Sequence, residues 1–456
     1  MEPLSNNILA KSRNWSWHHV CVFILTYFSY AFFQASRVSL DNCKNTLNRS
    51  TILENTLKSS ENNEDPIMFF EKLDITFSFA YAIGLYISGT MGDRLNLRYM
   101  LAFGMWSSAF TTLMIGYLSN KIITPNKYYY YSLSVANGLF QSIGWPVTVA
   151  IMGNWFISGD ILYGIWGGSG NFGRIIGSCI INYSLNYNCY YGGLLNSSLL
   201  ICGGVIVFFC LITYPNQVGL DERNLTNIRN NENKNHANVH IKKAVGFRKA
   251  FLMPGVPSYA LSFFFVKMVN EISLFSLSTY LSLDPQWGDK ESNNLISYYD
   301  LGTILGGIAA GILSKLIGIR SPVISLMLLS SIATILLNYK GVGFRTNRLI
   351  IFINGFLIGG PDNIISTAIP VVISKHQITN NNQALATVTG IIDGTGRFAA
   401  AISQCLILII KKELVWNGVF YFLIFVVGCS CFWNLLILYK DLLDLSKKRN
   451  KNYSKL

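Results

Sequence analysis

Apolar residues gather along this chain into runs of roughly 20, parted by shorter polar stretches, and the pattern recurs from Trp17 to Tyr439. A run of that length is what a helix needs to cross the hydrocarbon core of a bilayer. Lipid offers the backbone no hydrogen-bond partner, so each run must satisfy its own peptide groups as a helix. The alternating strands of an outer-membrane barrel are not seen in the pattern.

Six predicted spans precede a polar break: Trp17–Leu40, Ile75–Gly92, Tyr99–Leu118, Tyr128–Ala150, Ile161–Leu185 and Leu194–Tyr214. Six follow it: Pro257–Leu281, Leu295–Leu316, Val323–Tyr339, Leu349–Ile373, Ala384–Ile410 and Val415–Tyr439. Pro146 predicts a kink in the fourth. The break, Pro215 to Lys249, is Asn-rich and charged and reads as a flexible cytoplasmic linker. Phe247 to Met253 is expected to lie along the membrane surface. The expected organisation is a six-helix bundle over 1–214, a linker over 215–249, and a second bundle with a basic tail over 250–456. The fold class is therefore an all-α membrane protein with 12 transmembrane helices.

Composition narrows the function classes. The chain has 456 residues, 51% hydrophobic and only 13% charged, which is too apolar for a soluble protein of this length. Its net charge of +13 does not point to nucleic acid, because basic residues flank membrane helices on the cytoplasmic side. The N-terminus, even-numbered loops, linker and tail hold about 20 Lys and Arg against about 12 in the odd-numbered loops, which predicts cytoplasmic termini. The nine cysteines and five histidines lack metal-ligand spacing, so no metal and no cofactor is expected. Cys43 and Cys189 fall on the same predicted side, where a disulfide would be geometrically open. Asn48-Arg49-Ser50 is a glycosylation sequon. The terminal Ser454-Lys455-Leu456 matches a peroxisomal address by chance composition. No nucleophile–base pair or phosphate-binding loop appears, so an enzyme is not expected.

The candidate chemistry lies within the spans. Ionisable groups in a membrane are costly and mark functional sites by default. Seven stand out: Arg37, Arg174, Lys267, Glu271, Asp300, Asp393 and Arg397. Lys267 and Glu271 are four residues apart, as are Asp393 and Arg397, so each pair has the spacing to neutralise itself on one helical face. Arg37 and Arg174 have no partner nearby in sequence, and Asp300 has none either. An arginine fork at mid-membrane suits phosphate or carboxylate. Around these charges Tyr27, Tyr30, Gln34, Asn137, Gln141 and Trp145 could bind a polyol or simply pack.

One turn organises the rest. Ala80 to Arg98 ends in Gly89, Gly92, Asp93, Arg94 and Arg98, with the spacing G-x-x-x-D-R-x-x-x-R. It resembles the loop between helices 2 and 3 of the major facilitator superfamily. Its glycines would let two helices approach, and Asp93 would meet the positive end of a neighbouring helix. Gly311 to Lys315 and Arg320 sit at the corresponding place in the second half, with Lys315 at the Asp position. Gly173-Arg174 and Gly396-Arg397 also correspond, which suggests two parallel repeats with a site between them.

The whole chain resembles the sugar-phosphate exchangers of solute carrier family 37. The resemblance is carried by Tyr30 to Arg37, Phe79 to Arg98, Asn137 to Phe156, Tyr299 to Gly311 and Ala384 to Gly396. It implies an antiporter of the endoplasmic reticulum membrane, with another endomembrane or the plasma membrane as the alternative. The exchange would be a phosphorylated sugar of the glucose 6-phosphate type for inorganic phosphate, by alternating access. Arg37 would grip phosphate from the first bundle and Lys267 from the second, with Tyr30, Gln34, Asn137, Arg174 and Asp393 completing the binding set. Gly89, Asp93, Arg94 and Arg98 would form the gating motif. The sequence departs from the family at Val38, Ser169, Glu271, Val372, Arg174 and Arg397. Two other readings stay open: a carrier of another organic anion, with proton coupling through Glu271, Asp300 or Asp393, and a non-transporting membrane sensor. The expected partners are these small molecules and the bilayer, not nucleic acid. The sequence does not fix the oligomeric state.

Overall fold

The computed structural model describes residues 16–47, 66–116, 127–156, 159–184, 189–220, 243–283, 289–339, 344–377 and 382–453. The sequon, most of the linker and the last three residues lie outside them. All twelve predicted stretches are helical. They form α1 (Trp17–Leu47), α2 (Pro66–Gly92), α3 (Leu97–Gly116), α4 (Lys127–Gln141), α5 (Gly144–Trp155), α6 (Asp160–Gly167), α7 (Ser169–Ser184) and α8 (Cys189–Cys210). After the linker come a short α9 (Phe247–Phe251), then α10 (Val256–Leu283), α11 (Asp289–Ile317), α12 (Ser321–Tyr339), α13 (Phe344–Gln377) and α14 (Leu385–Tyr453). Among the described residues eight helical spans are long and apolar enough to cross a membrane by length and composition. Large apolar side chains such as Phe110, Phe209 and Phe425 remain exposed, as a lipid-facing surface requires.

The differences from the expected helices have local causes. The fourth span breaks between α4 and α5 at Ser142-Ile143, ahead of Pro146, which sits in the first turn of α5. Proline has no N–H to give the carbonyl four residues back. That carbonyl, Ser142 O, instead accepts from Ser88 Oγ at 3.0 Å. The fifth span breaks at Gly168, between α6 and α7. α14 is helical throughout and holds two spans, Leu385–Ile410 and Gly418–Leu443, because no glycine or proline lies between Ile410 and Asn417. Cys43 and Cys189 lie on helical backbone rather than in loops, and their side chains are outside the described set. A two-residue parallel strand pair, β1 (Lys243–Ala244) with β2 (Asn382–Gln383), ties the end of the linker to the approach to α14. α9 exposes Phe247 and Phe251, and Leu252 just beyond it is exposed too, as a segment lying on a membrane surface would be.

The halves meet by a repeated arrangement. α2 packs on α14, and α6 and α7 pack on α11. In each case the second apolar span of one half faces the fifth span of the other. Both contacts need glycine. A Cβ on Gly89 would lie 2.7 Å from Ala386 O and 2.9 Å from Gly390 Cα. One on Gly164 would lie 2.5 Å from Gly307 O. Absent side chains let these helices pack backbone to backbone, as small residues do in membrane bundles.

Candidate functional site

A cavity of about 50 Å³ lies between the halves. Tyr30 and Gln34 of α1, Trp145 of α5, and Asn171 and Arg174 of α7 line it from the first half. Lys267 of α10, Asp362 of α13, and Asp393 and Arg397 of α14 line it from the second. Helical spacing explains how neighbours in sequence reach it together. Gln34 Nε2 donates to Tyr30 OH one turn back at 2.8 Å. Arg174 likewise donates to Asn171, three residues earlier. Gly170 presents no side chain to the Tyr30 ring, where a Cβ would stand 3.1 Å from the edge.

Every cavity cation is engaged by a carboxylate from another helix. Arg174 Nε donates to Asp300 Oδ1 on α11 at 3.0 Å, and its Nη2 donates to the same oxygen. Lys267 Nζ donates to both oxygens of Asp362 at 3.0 Å. Asn270 Nδ2 supports that carboxylate at 3.3 Å and itself accepts from Tyr299 OH at 2.7 Å. Arg397 Nη1 donates to Glu271 Oε1 at 3.0 Å. Low polarity around such pairs makes an unpaired member expensive, so the pairing holds the charges in place.

These pairs correct two expectations from spacing. Lys267 does not pair with Glu271, nor Arg397 with Asp393. Groups four apart on one helix do share a face, but each of these faces looks across to a second helix. There the fit is better than along the helix, where surface pairs gain only about 0.5 kcal/mol. Asp300, without a partner in sequence, finds Arg174. Asp362 was missed. It stands in Gly359-Gly360-Pro361-Asp362-Asn363, a run that reads as a turn, yet α13 passes through it unbroken. An acidic residue deep inside an apolar span is the signal that would have found it.

Two expected ligands lie elsewhere. Arg37 does not line the cavity, and its guanidinium carbon sits over the Phe77 ring at 4.6 Å and the Tyr81 ring at 5.7 Å. The same Tyr81 ring carries Arg397 at 5.4 Å, so one aromatic ring contacts both arginines. Asn137 accepts from Thr111 Oγ1 at 2.9 Å and joins α4 to α3, away from the cavity. Asp393 accepts from Ser366 Oγ at 2.6 Å and has no cation bonded to it among the described residues.

The turn at Gly89 to Arg98 joins the first half to the start of α14. Asp93 is buried and caps the start of α14, accepting from Ala386 N at 3.0 Å, Thr387 N at 2.8 Å and Thr387 Oγ1 at 2.6 Å. The free N–H groups of a helix start are the natural partners of a carboxylate. Burial raises the Asp93 carboxyl from its ordinary value, and the Thr387 and Ala386 donors work against the rise. Arg94 is exposed and Arg98 is half-buried. The second half lacks the acid at Lys315, but the charge reappears across the interface: Asp160, in the first turn of α6, accepts from Arg320 Nε at 3.1 Å.

Comparison with known proteins agrees with this architecture. The family description Major Facilitator Superfamily matches residues 70–404. "Sugar phosphate exchanger 3" of Mus musculus is 36% identical over 96% of this chain and 97% of its own length. The protein of the same name from Homo sapiens is 36% identical over 95% of each. "Glucose-6-phosphate exchanger SLC37A2" of Xenopus laevis is 31% identical, again over 95% of both chains.

Proposed function

Because the chain belongs to the Major Facilitator Superfamily, and within it to the sugar phosphate exchangers, we propose that it exchanges a phosphorylated sugar for inorganic phosphate across an internal membrane. The substrate is of the glucose 6-phosphate type and the membrane that of the endoplasmic reticulum, with both termini cytoplasmic. The observation that carries this reading is the cavity itself, where Arg174, Lys267 and Arg397 converge between the halves. Three cations lining one cavity suit a phosphate ester better than a neutral sugar.

In this mechanism residues 1–214 and 250–456 act as two bodies joined by the linker at 215–249. Phosphate takes over the cations now held by Asp300, Asp362 and Glu271, and the released carboxylates loosen the contacts between helices. The loaded carrier then changes face while the empty one stays locked, which makes exchange obligatory. Asp93, capping α14, and Asp160 with Arg320 hold one face shut until that happens. Arg37, seated outside the cavity wall over Phe77, meets the anion on its way in. No covalent step is needed.

The test is counterflow in liposomes. Uptake of labelled glucose 6-phosphate that requires phosphate inside supports exchange. Absence of uptake by well-folded protein sinks it.

A second reading has one observation in its favour. Asp300, Asp362 and Glu271 already balance the three cavity cations, and Asp393 adds a fourth carboxylate with no cation bonded to it among the described residues. Another organic anion carried together with a proton would suit that balance. A pH gradient that drives uptake without internal phosphate would favour it.

A further inference from the structure

Among the described residues every exposed charged side chain is basic: Arg94, Arg248, Lys249, Lys315, Lys440 and Lys447. All of them gather on the face where Asp93 caps α14. Arg94 follows that aspartate, and α9, with Arg248 and Lys249, is tied to the approach to α14 by β1. A Cβ on Gly153 would touch Leu385 at the start of α14, so the end of α5 and the start of α6 lie on this face too. Lys315 ends α11 close to Arg320, which meets Asp160 there. Lys440 and Lys447 stand on the end of α14, where Asp441 accepts from Ser321 Oγ at 2.6 Å. The acids of this face are thus turned inward, Asp93 to a helix start, Asp160 to Arg320 and Asp441 to Ser321. Its exposed charge is left wholly positive, which suits an anionic partner.

α9 shows what kind of anion. Ala250 is buried against the protein, and a step of roughly 100° per residue then turns Arg248 and Leu252 outward. Phe247 and Phe251 take one flank and Lys249 the other. Phe251 and Leu252 are exposed beside two exposed cations. The Phe247 ring meets Tyr86 edge-on, with centroids 6.0 Å apart. Tyr86 stands seven residues before Asp93 on α2, about 10 Å along the helix. That is the depth at which interfacial helices bury their apolar side, at the boundary of headgroups and acyl chains. A soluble polyanion would answer the two cations and leave Phe251 and Leu252 in water. A neutral lipid would cover the apolar groups and leave the cations unanswered. An anionic phospholipid does both.

α9 also lies over the line where the halves touch. Tyr86 OH shares a hydrogen bond with Thr395 Oγ1 of α14 at 3.0 Å, so Phe247 packs on a residue that bridges α2 and α14. We propose that α9 binds an anionic phospholipid, with Arg248 and Lys249 on the headgroup phosphate and Phe251 and Leu252 among the acyl chains, and that the bound lipid braces the seam between α2 and α14. Binding here does not depend on what the central cavity carries.

The experiment uses the full chain in neutral detergent, with phosphatidylserine or phosphatidylcholine of the same acyl chains added. Thermal unfolding and amide hydrogen exchange are followed together. Phosphatidylserine should raise the unfolding temperature more than phosphatidylcholine and slow exchange at residues 247–252 and 386–390. Each cation near an anionic surface strengthens binding roughly fivefold. Arg248→Gln with Lys249→Gln should therefore need about tenfold or more phosphatidylserine for the same shift, and Leu252→Gln should weaken the response as well. Lys447→Gln, away from α9, should respond as wild type does. Equal shifts by the two lipids overturn the proposal, as does a wild-type response in the double variant. The same shift from glycerophosphoserine or polyglutamate would show that free anions are read, and would overturn the lipid. Slowed exchange at 247–252 without any change at 386–390 would overturn the brace.

Discussion

Arg174 on α7 and Asp300 on α11 form an ion pair that joins the two halves beside the central cavity. Asp300 is almost fully buried, and Arg174 is reachable from the cavity. The pair is therefore placed to be both a fastener between the halves and a phosphate site waiting for its ligand.

Asp300→Asn leaves a largely buried guanidinium without its counter-charge. The expected loss of stability is roughly 3 kcal/mol, seen as an earlier thermal unfolding transition in detergent. The exchanged pair, Arg174→Asp with Asp300→Arg, should regain part of that stability without regaining exchange. Full activity in the exchanged pair would show that Arg174 only fastens.

Lys267 and Asp362 should behave as a unit. Asp362→Asn or Lys267→Gln alone strands one charge, while both together remove the pair. The double variant is expected to unfold at a higher temperature than Asp362→Asn. Additive losses in a double-mutant cycle would contradict the pairing.

Asp93→Ala removes the cap from α14. A lost cap typically costs about 1 kcal/mol, and a charge at a helix start adds a fraction more. Hydrogen exchange at residues 386–390 should quicken in this variant, and Asp93→Asn should fall between it and wild type. Unchanged protection in Asp93→Ala would mean that other contacts hold the face closed.

Gly89→Val should keep the same face from closing, since even a Cβ there would press on Ala386 O and Gly390. A thiol reagent that cannot cross the membrane, applied to a cysteine at Ser366, should then react faster from that face. The same rate as wild type would place the closing contact elsewhere.

Arg37→Lys keeps the charge but loses the flat guanidinium that lies on Phe77. The expected result is a raised KM for glucose 6-phosphate with a smaller change in turnover, and Arg37→Ala should be worse on both. A pure turnover defect would give Arg37 a part in the conformational change rather than in capture.

What the sequence by itself determined is the membrane fold and where the Asp93 carboxylate docks. Runs of apolar residues have one solution in lipid, so all twelve helices were legible, and Asp93 could be aimed at a helix start before any partner was known. Local chemistry also marked six of the seven charges in or beside the ion pairs and the cavity. Tertiary structure alone decided who pairs with whom. Spacing suggested Lys267 with Glu271 and Asp393 with Arg397, but the pairs formed across helices, with Asp362 and Glu271. The reason is physical. A helix fixes which face a side chain takes, through a repeat of about 3.6 residues. Which carboxylate comes within 3 Å of that face depends on how helices far apart in sequence are packed, and in a medium of low polarity the shortest contact wins. The same holds for Trp145 and Asp393, which meet only where the helices of the two halves line one cavity.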